Sequence, residues 1–268
     1  LFFAVGAYAA VNLATAAPWG FALVVFGSVA CGMFLGAAIG VVLVRMEGHN
    51  PTIATVILAS IGLLAGNALS RYTGGEDGLS LATQSVGVGA FQLHAGSGLA
   101  MYYTATVPLL ALIIGRWALQ GHRSWKILRA VARNETRAQL LGFNTRLRRW
   151  VVFTLSAGVA ALGGAFYVLL MKHVTTSVFD IGLSVDAILW AVVGGVGTAF
   201  GPLLGVFVVY PVTQMIASVF VYVQILVGLL LVIVAVFFPH GIIGTLQEVA
   251  RLHAEKDRFL PDSAPSLD

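Results

Sequence analysis

The chain has 268 residues, of which 59% are hydrophobic and 10% charged, with a formal net charge of +4. An average soluble domain carries about 25% charged residues, so this composition, with a mean hydropathy of +0.93 and a pI near 9.5, excludes a soluble globular domain and indicates an integral membrane protein. Nine of the fifteen Lys and Arg residues fall between Arg116 and Arg149, a clustering that membrane topology explains without a nucleic-acid ligand.

A bilayer core needs about 20 apolar residues per helix. In chain order the candidate spans are Leu1 to Leu13, Pro18 to Val44, Pro51 to Ser70, Leu99 to Leu119 and Trp150 to Met171. Val185 to Gly194, Pro202 to Val219 and Tyr222 to Phe238 follow. The first run opens at Leu1 without an initiator Met, already inside an apolar helix, so a longer protein with an upstream span is expected. Cys31 lies in the second run with no other cysteine for a disulfide or metal set, and is read as a buried packing thiol.

On the third span, Thr52, Thr55, Ala59, Gly62, Gly66 and Ser70 share a small-residue arc at about 100° per residue, with Ser60 and Asn67 beside it. Such an arc serves either close helix packing or the lining of a polar pathway. An amide at Asn67, deep in apolar surroundings, needs a partner or water.

The 72–98 segment contains Glu76 and Asp77, is rich in Gly and Ser, and has no Lys or Arg. The positive-inside bias places it outside, and places the basic 116–149 loop and the short Arg45 to Asn50 turn inside. Within the basic loop, Ser124 to Gly142 reads SWKILRAVARNETRAQLLG. Ile127, Leu128, Val131, Ala138 and Leu141 recur near helical spacing, so one amphipathic helix is expected, stopped by Gly142. A plain positive-inside connector would need the charges but not the periodic apolar face.

Downstream, a chain that ends inside requires the Val185 to Val219 region to cross an even number of times. The string GGVGTAFGP, with Gly194, Gly195, Gly197, Gly201 and Pro202, breaks the apolar stretch in its middle. Two short helices meeting there form either a packing turn or a re-entrant pair, whose free backbone groups are tolerated against protein or a watery cavity. The tail carries both charge signs with Pro261 and Pro265 and reads as solvated.

Catalytic patterns do not surface. There is no GxxxxGK[ST], GxSxG or HExxH, and no paired carboxylates lie within a span. Arg71, Lys172, His173, Asp180 and Asp186 all fall at predicted span ends, unlike the intramembrane charges of ion-coupled carriers.

The segment RAVARNETRAQLLGFNTRLRRWVVFTLSAGVAALGGAFY, then SVDAILWAVVGGVGTAFGPLLG, then FFPHGIIG, resembles the membrane subunits of branched-chain amino-acid ABC importers, in particular the LivM-like member of the pair. FFAVGAYAA and YTGGEDGL are similar to that family as well, so the resemblance runs from Phe2 to Gly244. It implies an all-α, polytopic permease of the type II importer fold with a broken or re-entrant helix pair. It also implies a cytoplasmic helix inserted in a cleft on an ATPase subunit, with Glu135, Ala138 and Gly142 at the matching positions. Val131 and Leu141 share that expected face.

The reading that results is a transport subunit without its own ATPase site, with a permease domain over 1–244 and a cytoplasmic tail over 245–268. It would sit in the bacterial inner membrane beside a second homologous permease, two ATP-binding cassette subunits and an external substrate-binding protein. The chain itself would hold no cofactor, ATP and Mg being bound by its partners. The solute would be a branched-chain amino acid or a related small polar molecule such as urea, an amide or a small carboxylate. Ser60, Asn67, Trp190, Thr198 and Gln214 are the candidate pathway residues. The alternatives are a secondary carrier or channel working alone, which predicts transport without nucleotide, and a membrane-embedded enzyme, which predicts a convergent acid, base and nucleophile.

Overall fold

The structure is a computed structural model that describes residues 1–16, 20–46, 50–81, 98–195, 198, 200–217, 225, 228–229, 232 and 241. Among them the protein is all-α. The helices are α1 (Phe2–Ala16), α2 (Phe21–Leu43), α3 (Asn50–Ala68), α4 (Ser70–Thr73) and α5 (Gly98–Gln120), followed by α6 (Arg123–Arg133), α7 (Glu135–Leu140), α8 (Thr145–Met171), α9 (Ile181–Gly194) and α10 (Gly201–Ala217). Three of them, α2, α3 and α8, are long and apolar enough to cross a membrane. The eighth candidate span, Tyr222 to Phe238, and the tail after residue 244 lie outside the described residues apart from isolated positions. The chain divides into two compact units, Leu1–Leu183 and Ser184–Asp268.

The first unit is built on α1, α2 and α8. Its core is made of small residues: Ala4, Ala7 and Ala10 from α1, and Ala157, Ala161 and Ala165 from α8, are all buried. Such residues let helix backbones approach where lipid supplies no hydrophobic drive between helices. Gly32 and Gly36 of α2 receive Ala161 and Ala157 of α8, and the next glycine at the same spacing, Gly40, lies against the rings of Trp150 and Phe153. The Trp150 indole N–H donates to the Ala37 carbonyl at 2.9 Å, which fixes the register of α8 on α2. Buried Ser28 satisfies its hydroxyl on Val24 O at 2.7 Å.

Helix α3 joins this bundle at few points. Only its Gly62 and Gly66 are buried, and both face the Phe179 ring, which stacks on Tyr8 of α1 at a centroid distance of 5.7 Å. Beyond α3, Thr73 Oγ1 donates to Gly66 O at 2.6 Å and closes the turn. The two-residue strands β1 (Leu79–Ser80) and β2 (His173–Val174) then pair antiparallel, tying the start of the 72–98 loop to the end of α8.

In the second unit, α9 and α10 touch backbone to backbone: Gly194 lies against Gly201, and Gly205 against the Trp190 carbonyl. Leu189 of α9 and Val209 of α10 are buried. At 14 and 17 residues, these helices rise only roughly 21 and 26 Å, each less than a hydrocarbon core of about 30 Å.

The structure corrects two sequence expectations here. Cys31 is exposed on α2, because the helix turns Ser28 and Gly32 toward the core and Cys31 away from it. Asp186 does not sit at a helix end: α9 begins at Ile181, four residues before the predicted start, so Asp186 falls in its second turn.

Candidate functional site

The basic loop is a pair of helices with a defined joint. Asn134 is extended, with φ −157° and ψ 102°, and ends α6. Its side-chain oxygen accepts from the Arg137 N–H at 2.9 Å, which caps the start of α7. This corrects the expectation of one continuous helix over Ser124 to Gly142. An asparagine satisfies orphan N–H groups at a helix start better than it serves a helix interior, so it divides the apolar pattern in two.

Gly142 does stop the second helix. It adopts φ 83°, its N–H bonds Gln139 O at 2.9 Å, and the next N–H, from Phe143, reaches back to Ala138 O at 3.2 Å. That pair of bonds is the Schellman closure, which favours glycine at the left-handed position. Two residues later Asn144 caps α8 by accepting from Leu147 N–H at 3.1 Å. The whole excursion from α6 to α8 is therefore closed by local hydrogen bonds.

Side chains then join α7 to the foot of α8. Arg149 Nη1 donates to both carboxylate oxygens of Glu135 at 3.2 Å, and Gln139 Nε2 donates to the buried Thr145 hydroxyl at 3.0 Å. Both Arg149 and Glu135 remain partly solvated, 32% and 38% exposed.

The four residues expected on one face, Val131, Glu135, Ala138 and Leu141, do not share one. Val131 and Ala138 are buried, Ala138 at 2% exposure, while Leu141 is 74% exposed. The break at Asn134 rotates the second helix relative to the first, and Leu140, at 84% exposure, joins Leu141 at the tip. Leu140 was not singled out by the helical count, although the LLGF string at a helix stop was a visible signal. Arg133, Arg137 and Arg146 of the same loop are exposed.

The candidate pathway residues are distributed over both units. On α3, Ser60 and Asn67 are exposed. Ser60 back-bonds to Val56 O at 3.3 Å, and Asn67 makes no side-chain hydrogen bond within the described residues. Of the small-residue arc, Gly62 and Gly66 serve packing, whereas Thr52 and Ser70 are exposed and Thr55 and Ala59 half-buried. In the second unit, Trp190 is half-buried with its ring edge toward Tyr210 at 6.4 Å, and Gln214 is exposed. Thr198 sits in the bend and donates to Gly195 O at 3.1 Å. The bend itself runs between Gly194 and Gly201, with Gly195 at φ 111° and Pro202 in the first turn of α10, where its missing N–H costs nothing. Gly197 lies outside the described residues.

Among the described residues no three His, Cys, Asp or Glu side chains converge on a metal-sized site. Residues 1–235 match the family described as branched-chain amino acid transport system / permease component. No curated protein and no solved structure matches the chain.

Proposed function

Because the chain belongs to the branched-chain amino acid transport permease family, we propose that it is one of two related membrane subunits of an ATP-driven importer in a bacterial inner membrane. Two ATPase subunits, which bind the ATP and Mg, and an external substrate-binding protein complete the assembly. The cargo is a branched-chain amino acid or a chemically related small polar solute, the binding protein setting most of the selectivity.

The observation that carries the coupling part of this reading is the tip of the basic loop. Leu140 and Leu141 are large, apolar and exposed on a loop whose backbone groups are closed by caps on both sides. Leucines so exposed on a charged loop mark a contact surface, and the exposed arginines of the same loop complement an acidic rim. A helix end of this kind fits an apolar cleft on an ATPase subunit, with positive-inside bias putting it on the cytoplasmic side. Val131 and Ala138, being buried, act from beneath by setting the shape of the loop. Closure of the ATPases displaces α7, and the permease alternates between inward-open and outward-open states. Within the first unit exposed Asn67, and within the second exposed Gln214 and Thr198 at the helix break, are each neutral hydrogen-bonding groups of a kind suited to a small polar solute. No ionisable pair is required when ATP drives the cycle.

The test is the double substitution Leu140→Asp with Leu141→Asp in the complex purified through a tag on this chain. Burying two unpaired carboxylates in an apolar cleft costs several kcal/mol, so ATPase co-purification and ATP-driven uptake in proteoliposomes should fall together by about 100-fold, while membrane insertion is unchanged. Unaltered co-purification and uptake would reject the tip as the docking surface. Uptake by this chain without any ATPase would restore the carrier reading.

A further inference from the structure

Glu135 has the position expected of a partner contact, yet its carboxylate is already engaged by Arg149 of the same chain, both oxygens lying 3.2 Å from Nη1. The two residues belong to different elements: Glu135 opens α7, and Arg149 lies in the second turn of α8. A second tie lies at the other end of α7, where Gln139 Nε2 holds the Thr145 hydroxyl at 3.0 Å. The joint on the opposite side is of another kind. Between α6 and α7 the helix is interrupted by one extended residue, Asn134, which leaves a place for the chain to bend.

Helix α8 is also the element through which the first unit is held together. Below its basic first turns it packs on α2 through Ala157 and Ala161 and on α1 through Gly164, with Trp150 hydrogen-bonded to the Ala37 carbonyl. At its far end it runs directly into β2, which pairs with β1. A push on α7 reaches this bundle only if α7 and α8 move together. If α7 were attached by the backbone alone, the flanking residues Asn134 and Gly142 would absorb the displacement.

We propose that the Glu135–Arg149 pair is a latch that makes α7 and the foot of α8 one body, so that Arg149 is a positioning residue for coupling and Glu135 faces inward rather than toward the ATPase. The latch rests on the docking reading for what displaces α7, but its own geometry does not depend on it. Both partners are about one-third exposed, so the pair acts through orientation more than through bulk stability.

The experiment uses the reconstituted importer with Glu135→Gln, Arg149→Gln, the double variant, and the charge exchange Glu135→Arg with Arg149→Glu. Solute imported per ATP hydrolysed is measured beside ATPase co-purification. A second readout is the distance distribution between spin labels at positions 136, exposed on α7 away from the leucine tip, and 155 on α8, in a Cys31→Ser background. The latch predicts that each single change lowers the coupling ratio by about two- to fivefold and broadens the distance distribution, with co-purification unchanged. The double variant should be no worse than either single one, and the charge exchange should restore both readouts. Loss of co-purification with Glu135→Gln but not Arg149→Gln would overturn the proposal by placing Glu135 at the ATPase. Multiplying losses in the double variant, or an unchanged distance distribution in every variant, would overturn it as well. Broadening without any effect of the Leu140 and Leu141 substitutions on co-purification would instead reject the docking surface and keep the latch.

Discussion

At Gly164 in the α1–α2–α8 bundle an added Cβ would meet the Phe3 carbonyl and come within 2.9 Å of the Ala7 nitrogen, whereas at Gly142 in the α6–α7 loop it would meet nothing within 4 Å. Gly142 is instead required by its backbone, at φ 83°. The bundle thus uses glycine for space and the loop uses it for conformation. The bundle is stabilised between helices, through contacts distant in sequence. The loop is held mainly by caps within a few residues, and among the described residues the Glu135–Arg149 and Gln139–Thr145 bonds reach across to α8. A membrane subunit that must receive a push at one end and keep its packing at the other has reason to combine the two.

Substitutions at three glycines separate these uses. The largest effect is expected for Gly164→Ala, since both colliding groups are backbone and neither helix can yield by turning a side chain. Overpacking of this kind costs about 3 kcal/mol, which should appear as a clear drop in the melting temperature of the detergent-solubilised protein. A melting point equal to wild type would mean that α1 and α8 are farther apart than described.

Gly142→Val comes next. A β-branched residue in a left-handed conformation costs about 1–2 kcal/mol, taken locally by the loop, so the melting point of the bundle should hardly move while ATP-coupled uptake falls. Gly142→Asn should keep most of the uptake, because asparagine tolerates the left-handed position. Equal impairment by both would show that the position matters for something other than its backbone conformation.

Gly115→Ala in α5 is the smallest case. Nothing described lies within 4 Å of an added Cβ there, and its φ is ordinary. Removing a mid-helix glycine should stabilise by about 0.5–1 kcal/mol, seen as a small rise in melting temperature. A fall would reveal a close neighbour on that face.

Much of the architecture was legible in the residues. Apolar run length located α1, α2, α3, α5, α8, α9 and α10 to within a few positions, because a helix crossing hydrocarbon must satisfy its own backbone and stay apolar over most of its length. The stop at Gly142 and the break before Gly201 were legible for a similar reason, since glycine and proline act on the backbone wherever they stand. The joint at Asn134 was missed although it had a local signal: an Asn-Glu pair inside a helical pattern is a typical helix start. The GMFLGAAIG run of α2 was also passed over, though its four-residue glycine spacing announces close helix packing.

Other features had no local signal. The Gly62 and Gly66 contacts with Phe179 and the pairing of Glu135 with Arg149 join residues whose distance in sequence says nothing of their distance in space. By itself the sequence determined the class of protein, its family and the order of its helices, because these follow from composition and from backbone rules that act within a few residues. Which face of each helix is buried, which leucines of the basic loop stand free, and which arginine holds Glu135 were decided only by the tertiary structure. Each depends on how elements rotate against one another, and a single extended residue such as Asn134 is enough to change that rotation.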